Sequence, residues 1–315
     1  MKIVSQHQIR ALGITPSTCV DWVRESFLLK PNVQLPPKIS LHPQGNDFFN
    51  TMPVLLPSPY NVFSVKVVHR IAGAVPSLGS DLLLYDSASG ELLAMLDADW
   101  ITTMRTGAVA TLAAQLFRKK ETVKYGMIGL GNTGRATMLC LLESEPNTQH
   151  LVYVLKYKDQ AERFKERFIE YNNVNFVECN SISEIVSRAD VIISCITDAK
   201  DLLCPDNNCF RKGCLVIPVH TKGFQNCDLF FDKVFGDDTG HLHGFRYFDC
   251  FRKYAELTDA LTGKVAGRES DEERILSYNI GLGLHDALFA TKVFGRLKDE
   301  CREVTMERET DKFWI

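Results

Sequence analysis

Apolar and polar positions alternate over several short stretches in the first third of the chain. Lys38–Leu41, Phe48–Met52, Val62–Val68, Asp81–Tyr85 and Leu92–Leu96 read as strands. Asp86-Ser87-Ala88-Ser89-Gly90 separates the last two as a turn, so these form a hairpin in a mostly antiparallel region. Ahead of them, residues 1–30 predict a short strand and then a helix, with Cys19, Val20, Trp22, Val23, Phe27 and Leu28 as its apolar stripe. Pro31, Pro36, Pro37 and Pro43 mark extended chain and turns between the two. The spacing becomes helical at Trp100–Phe117, where Ile101, Met104, Ala108 and Leu112 make one stripe and Ala113 and Leu116 widen it.

From Val123 the pattern changes again. Short apolar runs at Lys124–Ile128, Leu151–Leu155, Val174–Glu178, Val191–Cys195, Cys214–Val219 and Lys233–Phe235 read as buried strands. Helical stretches at Thr133–Leu142, Asp159–Tyr171 and Ser181–Arg188 lie between the first of them, which implies parallel βαβ units. Ile275–Leu297 predicts one long helix carrying Gly281, Gly283, Ala287 and Ala290. Lys119-Lys120-Glu121 reads as a solvated joint. The expected fold class is therefore α/β, a doubly wound parallel sheet joined to a second, α+β domain.

Composition narrows the function. The 315 residues are 45% hydrophobic, enough for two cores, and the net charge of −3 offers no basic field for nucleic acid or an anionic membrane. No secretory leader and no membrane-spanning run is visible, so a cytoplasmic protein is expected. The ten cysteines contain no C-x-x-C pair, and Cys195 and Cys214 sit in apolar runs as small hydrophobes. Cys204, Cys209, Cys227, His241 and His243 fit no zinc spacing, so no metal is expected.

The candidate chemistry begins at Gly129-Leu130-Gly131-Asn132-Thr133-Gly134, which follows a strand and opens a helix. In that context the glycines allow a tight turn, close approach to a pyrophosphate and close helix–strand packing, the marks of a dinucleotide site. The expected cofactor contacts are Gly129, Gly131, Asn132, Thr133, Gly134 and Arg135, with Thr197 and Val219 at the ends of later strands. The second strand ends Leu155-Lys156-Tyr157-Lys158, without the acid that would bind a ribose 2′-hydroxyl. Lys156 could pair with a 2′-phosphate, which favours NADP(H) and leaves NAD(H) open. A solvent-facing lysine is the other reading.

Arg105 is the sole charge on its helix between Ile101 and Leu116. A buried lone charge needs a partner, either a substrate carboxylate held by the guanidinium fork or an internal acid. Lys66 sits mid-strand, with Val65 and Val67 on the opposite sheet face. Lys38 starts another strand after Pro36-Pro37. Both could equally be surface lysines.

Taken together, Asp97-x-x-x-Ile101-Thr102-x-x-Arg105-Thr106-Gly107-Ala108, the glycine turn, Ala255-Glu256-Leu257, Gly263-Lys264-Val265-Ala266-Gly267-Arg268 and Gly281-Leu282-Gly283 resemble the ornithine cyclodeaminase/mu-crystallin family, from about Pro36 to Phe294. The resemblance implies a Rossmann domain at 121–284 inserted into an α+β substrate-binding and dimerisation domain built from 1–120 and 285–315. It implies a homodimer, a substrate lying between the domains, and hydride passing between nicotinamide and the nitrogen-bearing carbon beside a carboxylate. By position it implies that Arg105 binds that carboxylate, that Lys66 bonds it and helps activate the substrate, that Thr106 meets cofactor phosphate, and that Lys38 stands for a substrate-side arginine. One departure is clear. Where cyclodeaminases carry an aspartate in a glycine-rich loop, this chain has Val219-His220-Thr221-Lys222-Gly223-Phe224. Lys222 would repel a substrate ammonium but could meet a second carboxylate or a carbonyl. His220 is the other titratable group there, either a general acid/base or a satisfied loop histidine. The expected activity is imine reduction or amine oxidation on a small amino-acid or imino-acid substrate. The alternatives are ornithine cyclodeaminase and a non-catalytic NADP(H)-dependent binding protein.

Overall fold

The computed structural model describes residues 1–197, 199–307, 309 and 311–312. The chain runs β1 (Lys2–Val4), α1 (Gln6–Ala11), α2 (Pro16–Leu29), β2 (Ile39–Leu41), β3 (Phe48–Leu56), β4 (Val62–Arg70), β5 (Leu78–Asp86), β6 (Leu92–Asp97) and α3 (Asp99–Phe117). It continues through β7 (Lys124–Ile128), α4 (Asn132–Ser144), β8 (His150–Leu155), α5 (Gln160–Glu166), β9 (Val174–Cys179), α6 (Ile182–Arg188), β10 (Val191–Ser194) and β11 (Leu215–Pro218). The last elements are β12 (Lys233–Gly236), α7 (Thr239–Leu242), β13 (Ala255–Glu256), α8 (Leu257–Leu261), β14 (Ile275–Tyr278), α9 (Gly283–Leu297) and β15 (Arg302–Glu303).

Two compact units result. The first comprises Met1–Gly13, Asn32–Thr102 and the chain from Asp286 onward. Its seven-stranded sheet has the order β15-β1-β6-β5-β4-β3-β2, antiparallel except for the β1–β6 pair. Alternation decides its two faces. Along β4, Val62, Ser64, Lys66 and Val68 are buried, while Phe63, Val65 and Val67 between them are half-exposed. Met52, Val54, Leu56, Leu82, Leu84, Ala94 and Leu96 lie on the same buried face. The β5–β6 connection is closed by Asp86, whose carboxylate accepts from the backbone N–H of Ala88 and of Ser89. Gly90 completes it at φ +74°.

The second unit comprises Ile14–Pro31 and Thr103–His285. Its eight strands run β13-β12-β14-β11-β10-β7-β8-β9, all parallel. Connections from β7 lead outward to β8 and β9 on one side and to β10 and β11 on the other. The order therefore reverses between β7 and β10, the place where doubly wound sheets leave a crevice for a ligand. The helix at 16–29 packs on α4 of this unit. Cys19, Val20, Trp22, Val23 and Phe27 of its stripe are buried, but Leu28 is exposed.

The single long helix expected over Ile275–Leu297 is not formed. Residues 275–278 are β14, paired to β11 on one side and β12 on the other. Their four side chains are all buried, as a central strand requires, and Gly281 at φ +89° separates them from α9. An apolar run of four residues has no period that distinguishes strand from helix. The helix expected over Asp159–Tyr171 is also shorter, ending at Glu166.

Candidate active site

The glycine turn lies at the end of β7, at the point of reversal. Gly129 has φ +86°, and a Cβ there would sit 2.7 Å from the Cys195 carbonyl carbon and the Ile196 nitrogen of the chain leaving β10. A Cβ on Gly134 would run into the carbonyl oxygen of Gly129. Gly131 is different: nothing lies within 4 Å of where its Cβ would be. Gly131 is also the N-cap of α4 and offers no side-chain hydrogen bond to the first-turn amides. Two glycines thus shape the turn and the third leaves its outer side open, which suits a pyrophosphate held on a helix N-terminus. Asn132 is exposed there, and Thr133 and Arg135 are half-buried. The Arg135 guanidinium is held below its ordinary pKa by burial and by the nearby cation of Arg167.

Other expected cofactor residues follow neighbouring strands of this unit. Thr197 is exposed beyond β10, and Val219 is half-buried, its N–H donating to Ser194 O at 3.0 Å. Lys156 is exposed after β8. The first acid after it, Asp159, pairs with Arg163 at 2.7 Å. Thr106 is half-buried on α3. The next residue, Gly107, brings α3 down on α4, since a Cβ there would stand 2.5 Å from the backbone of Ala136 and Thr137.

Arg105 is buried on the same helix. Its guanidinium lies against Gly281, where a Cβ would be 2.5 Å from Nη1. The Gly281 N–H donates to Asp237 Oδ2 at 2.7 Å. On the 219–224 loop, His220 Nε2 is 2.6 Å from Ser194 Oγ. Burial pushes the His220 imidazole down to about 4, and the backbone of Lys222 offsets only part of that. Its ring is therefore neutral at pH 7. Lys222 is exposed.

The first unit holds the two remaining expected residues. Lys66 is fully buried, and its Nζ meets Asp286 Oδ2 at 2.6 Å. It also donates to Thr102 Oγ1 at 3.3 Å. Thr102 Oγ1 is 2.9 Å from Ser80 Oγ, and Ser80 donates its hydroxyl to Asp99 Oδ1 at 3.1 Å and its N–H to the same oxygen at 2.6 Å. Burial raises the Asp99 carboxyl above the ordinary range. Lys38 is half-buried just before β2 rather than within it. Sequence reasoning missed Asp286, Thr102 and Asp237. The available signal for Asp286 was its isolation among Leu282, Leu284, Ala287, Leu288 and Phe289, the same cue that singled out Arg105.

Comparison with known proteins places the fold. The sequence profile of the ornithine cyclodeaminase/mu-crystallin family matches residues 2–300. A Delta(1)-pyrroline-2-carboxylate reductase of Colwellia psychrerythraea is 28% identical over 240 residues, 71% of this chain and 75% of its own length. The structure of a Thermococcus litoralis Delta(1)-pyrroline-2-carboxylate reductase in complex with NADH and L-proline superposes with TM-score 0.84 at 22% identity, covering 96% of this chain and 100% of the other. An archaeal alanine dehydrogenase dimer with bound NAD gives TM-score 0.83 at 20% identity, over 98% and 99%.

Proposed function

Because the chain belongs to the ornithine cyclodeaminase/mu-crystallin family, we propose that it is a nicotinamide-dependent oxidoreductase of the carbon–nitrogen bond beside a carboxylate, working on a small amino-acid or imino-acid substrate. The observation that carries this reading is Arg105, a buried guanidinium in an otherwise uncharged stretch of helix, packed against Gly281 so closely that a Cβ there would stand 2.5 Å from Nη1. A planar bidentate donor so placed suits a carboxylate.

Reduction places a hydride on the imine carbon and a proton on the nitrogen; the nicotinamide, when bound, supplies the hydride. Gly129, Gly131, Asn132, Thr133, Gly134 and Arg135 hold the cofactor phosphates, with Thr106, Thr197 and Val219 bordering them. Arg105 orients the carboxylate. Lys66, held by Asp286 and Thr102, bonds the same carboxylate and serves as the acid that protonates the nitrogen. His220, neutral at pH 7, orients rather than donates, while Lys222 and Lys38 receive a further acidic or carbonyl group of the substrate. NADP(H) is the preferred cofactor, since Lys156 is exposed at the end of β8 and Asp159, the first acid after it in the chain, is engaged by Arg163.

The protein acts as a homodimer in the cytoplasm. The outward face of the first unit's sheet, with Pro53, Val65, Leu83 and Met95 in register, supplies the apolar surface a dimer would cover. The ten cysteines, all free, suit a reducing compartment.

The test is a screen of cyclic imines, 2-oxo acids with amines, and amino acids, followed by NADPH and NADH absorbance. Oxidation of NADPH with a cyclic imino acid is the expected result, together with a loss of kcat/KM of about 100-fold or more in Arg105→Ala at unchanged cofactor affinity. Proline and ammonia released from ornithine with catalytic cofactor would instead select the cyclodeaminase. Cofactor binding without turnover across the panel would select the binding protein.

A further inference from the structure

We propose that Asp237 is a positioning residue for Arg105, acting through Gly281; this rests on the reading of Arg105 as the carboxylate-binding group. Asp237 follows β12 and is completely buried. Its Oδ2 accepts the Gly281 N–H at 2.7 Å, a charge-assisted bond to the turn that joins β14 to α9. Gly281, at φ +89°, is the surface on which the Arg105 guanidinium rests. The height of that surface sets where the fork can lie. Moving Gly281 by a fraction of an ångström moves the group that aims the substrate, and misplacement of about 1 Å can cost ~100-fold in rate.

Asp237 can serve as a ruler because its own backbone is clamped. Lys30 Nζ, at the end of α2, donates to the Asp237 carbonyl at 3.0 Å. The same ammonium pairs with Asp238 at 2.9 Å and Glu256 at 2.5 Å. Glu256 accepts in turn from the N–H and hydroxyl of Thr239, at 2.8 and 2.7 Å. The Lys30 cation and His241 hold the Asp238 carboxyl well below the usual range, against the effect of its burial. The 237–239 turn is therefore bonded from three directions, and the Asp237 carboxylate projects from a fixed base to the Gly281 amide. A carboxylate whose only task was to cap β12 would need no such partner in the turn after β14.

Steady-state kinetics of Asp237→Ala, Asp237→Asn and Gly281→Ala, each alone and in an Arg105→Ala background, test the proposal. The substrate is a cyclic imino acid active with the parent enzyme, and NADPH affinity is read by fluorescence. Asp237→Ala should raise KM about 10-fold or more with a smaller change in kcat. Asp237→Asn keeps an oxygen acceptor for the amide and should restore KM to near the parent value. Gly281→Ala, which pushes a methyl group against the guanidinium, should raise KM as Asp237→Ala does. In the Arg105→Ala background neither change should raise KM further, because the group they position is gone. Additive effects there, or a folded and NADPH-binding Asp237→Ala with parental KM, overturn the proposal. If Asp237→Ala does not fold, Gly281→Ala decides: parental KM overturns it. Unchanged KM in Arg105→Ala alone sinks instead the underlying assignment of Arg105.

Discussion

Two lysines are buried in strands and bonded to carboxylates, yet they are built differently. Lys233 starts β12 with 2% of its side chain exposed. It donates to the Gly267 carbonyl at 2.8 Å and pairs with Glu269 at 2.5 Å and Glu273 at 3.4 Å. Glu269 is 53% exposed and remains solvated. Lys66 faces Asp286, and both side chains are wholly buried. The Lys233 arrangement ties a loop to the amino-terminal edge of a parallel sheet, opposite to the edge where such sheets bind ligands. The Lys66 pair removes two full charges from water, which rarely benefits stability. The contrast sets an ion pair that closes a fold against one that the proposed function gives a chemical task.

The largest effect should come from breaking the Lys66 pair. Lys66→Met, combined with Asp286→Asn to avoid stranding a buried carboxylate, is expected to lower kcat by ~100- to 10,000-fold with thermal stability kept. Retained kcat would place Lys66 with Lys233 as structural. Lys233→Met should do the reverse, reducing unfolding free energy by about 1–3 kcal/mol in denaturant titration while kcat/KM stays near the parent value. An exposed lysine extends the series: Lys156→Glu should shift the NADPH-to-NADH affinity ratio about 10-fold toward NADH, and equal losses for both cofactors would contradict the 2′-phosphate role.

The smallest effect concerns a buried acid with no cation. Asp228 accepts from the Tyr278 hydroxyl at 2.7 Å, and burial pushes its carboxyl up to about 7. The folded state therefore holds a proton that the unfolded state releases near the ordinary value of 3.8. Stability from this group is full below that value and is lost as pH rises toward 7. Asp228→Asn should flatten this slope and raise Tm most at pH 8. His220 has the opposite sign. Its imidazole is pushed from 6.5 to about 4, so its contribution is present above 6.5 and is lost as pH falls toward 4. A Tm profile of Asp228→Asn that still declines between pH 4 and 7 would assign that slope to another group.

Much of the architecture was legible in the chain. The strands from β3 to β6, the hairpin turn at Asp86–Gly90, α3 and the alternating elements from β7 to β12 follow from local periods and turn residues. The glycine turn was legible too, from its spacing between a strand and a helix, although only Gly134 answers a neighbour within a few residues, Gly129 faces Cys195 and Ile196, and Gly131 has nothing within 4 Å. The tail was misread at β14, where four apolar residues fit either period and the neighbours that made them a strand lie about 40 and 60 residues away in the chain, as roughly measured against the usual short loops.

The chain alone singled out candidate residues, since isolated charges such as Arg105 and the order of glycines at 129–134 are visible without any fold. Only the tertiary structure decided which partners those residues have. Asp286 reaches Lys66 across more than two-thirds of the chain, and Asp237 reaches Gly281 from a different strand. The reason is physical. Periodicity reports which face of an element is buried, while hydrogen bonds between distant side chains depend on the packing of whole elements, and no local pattern records that distance.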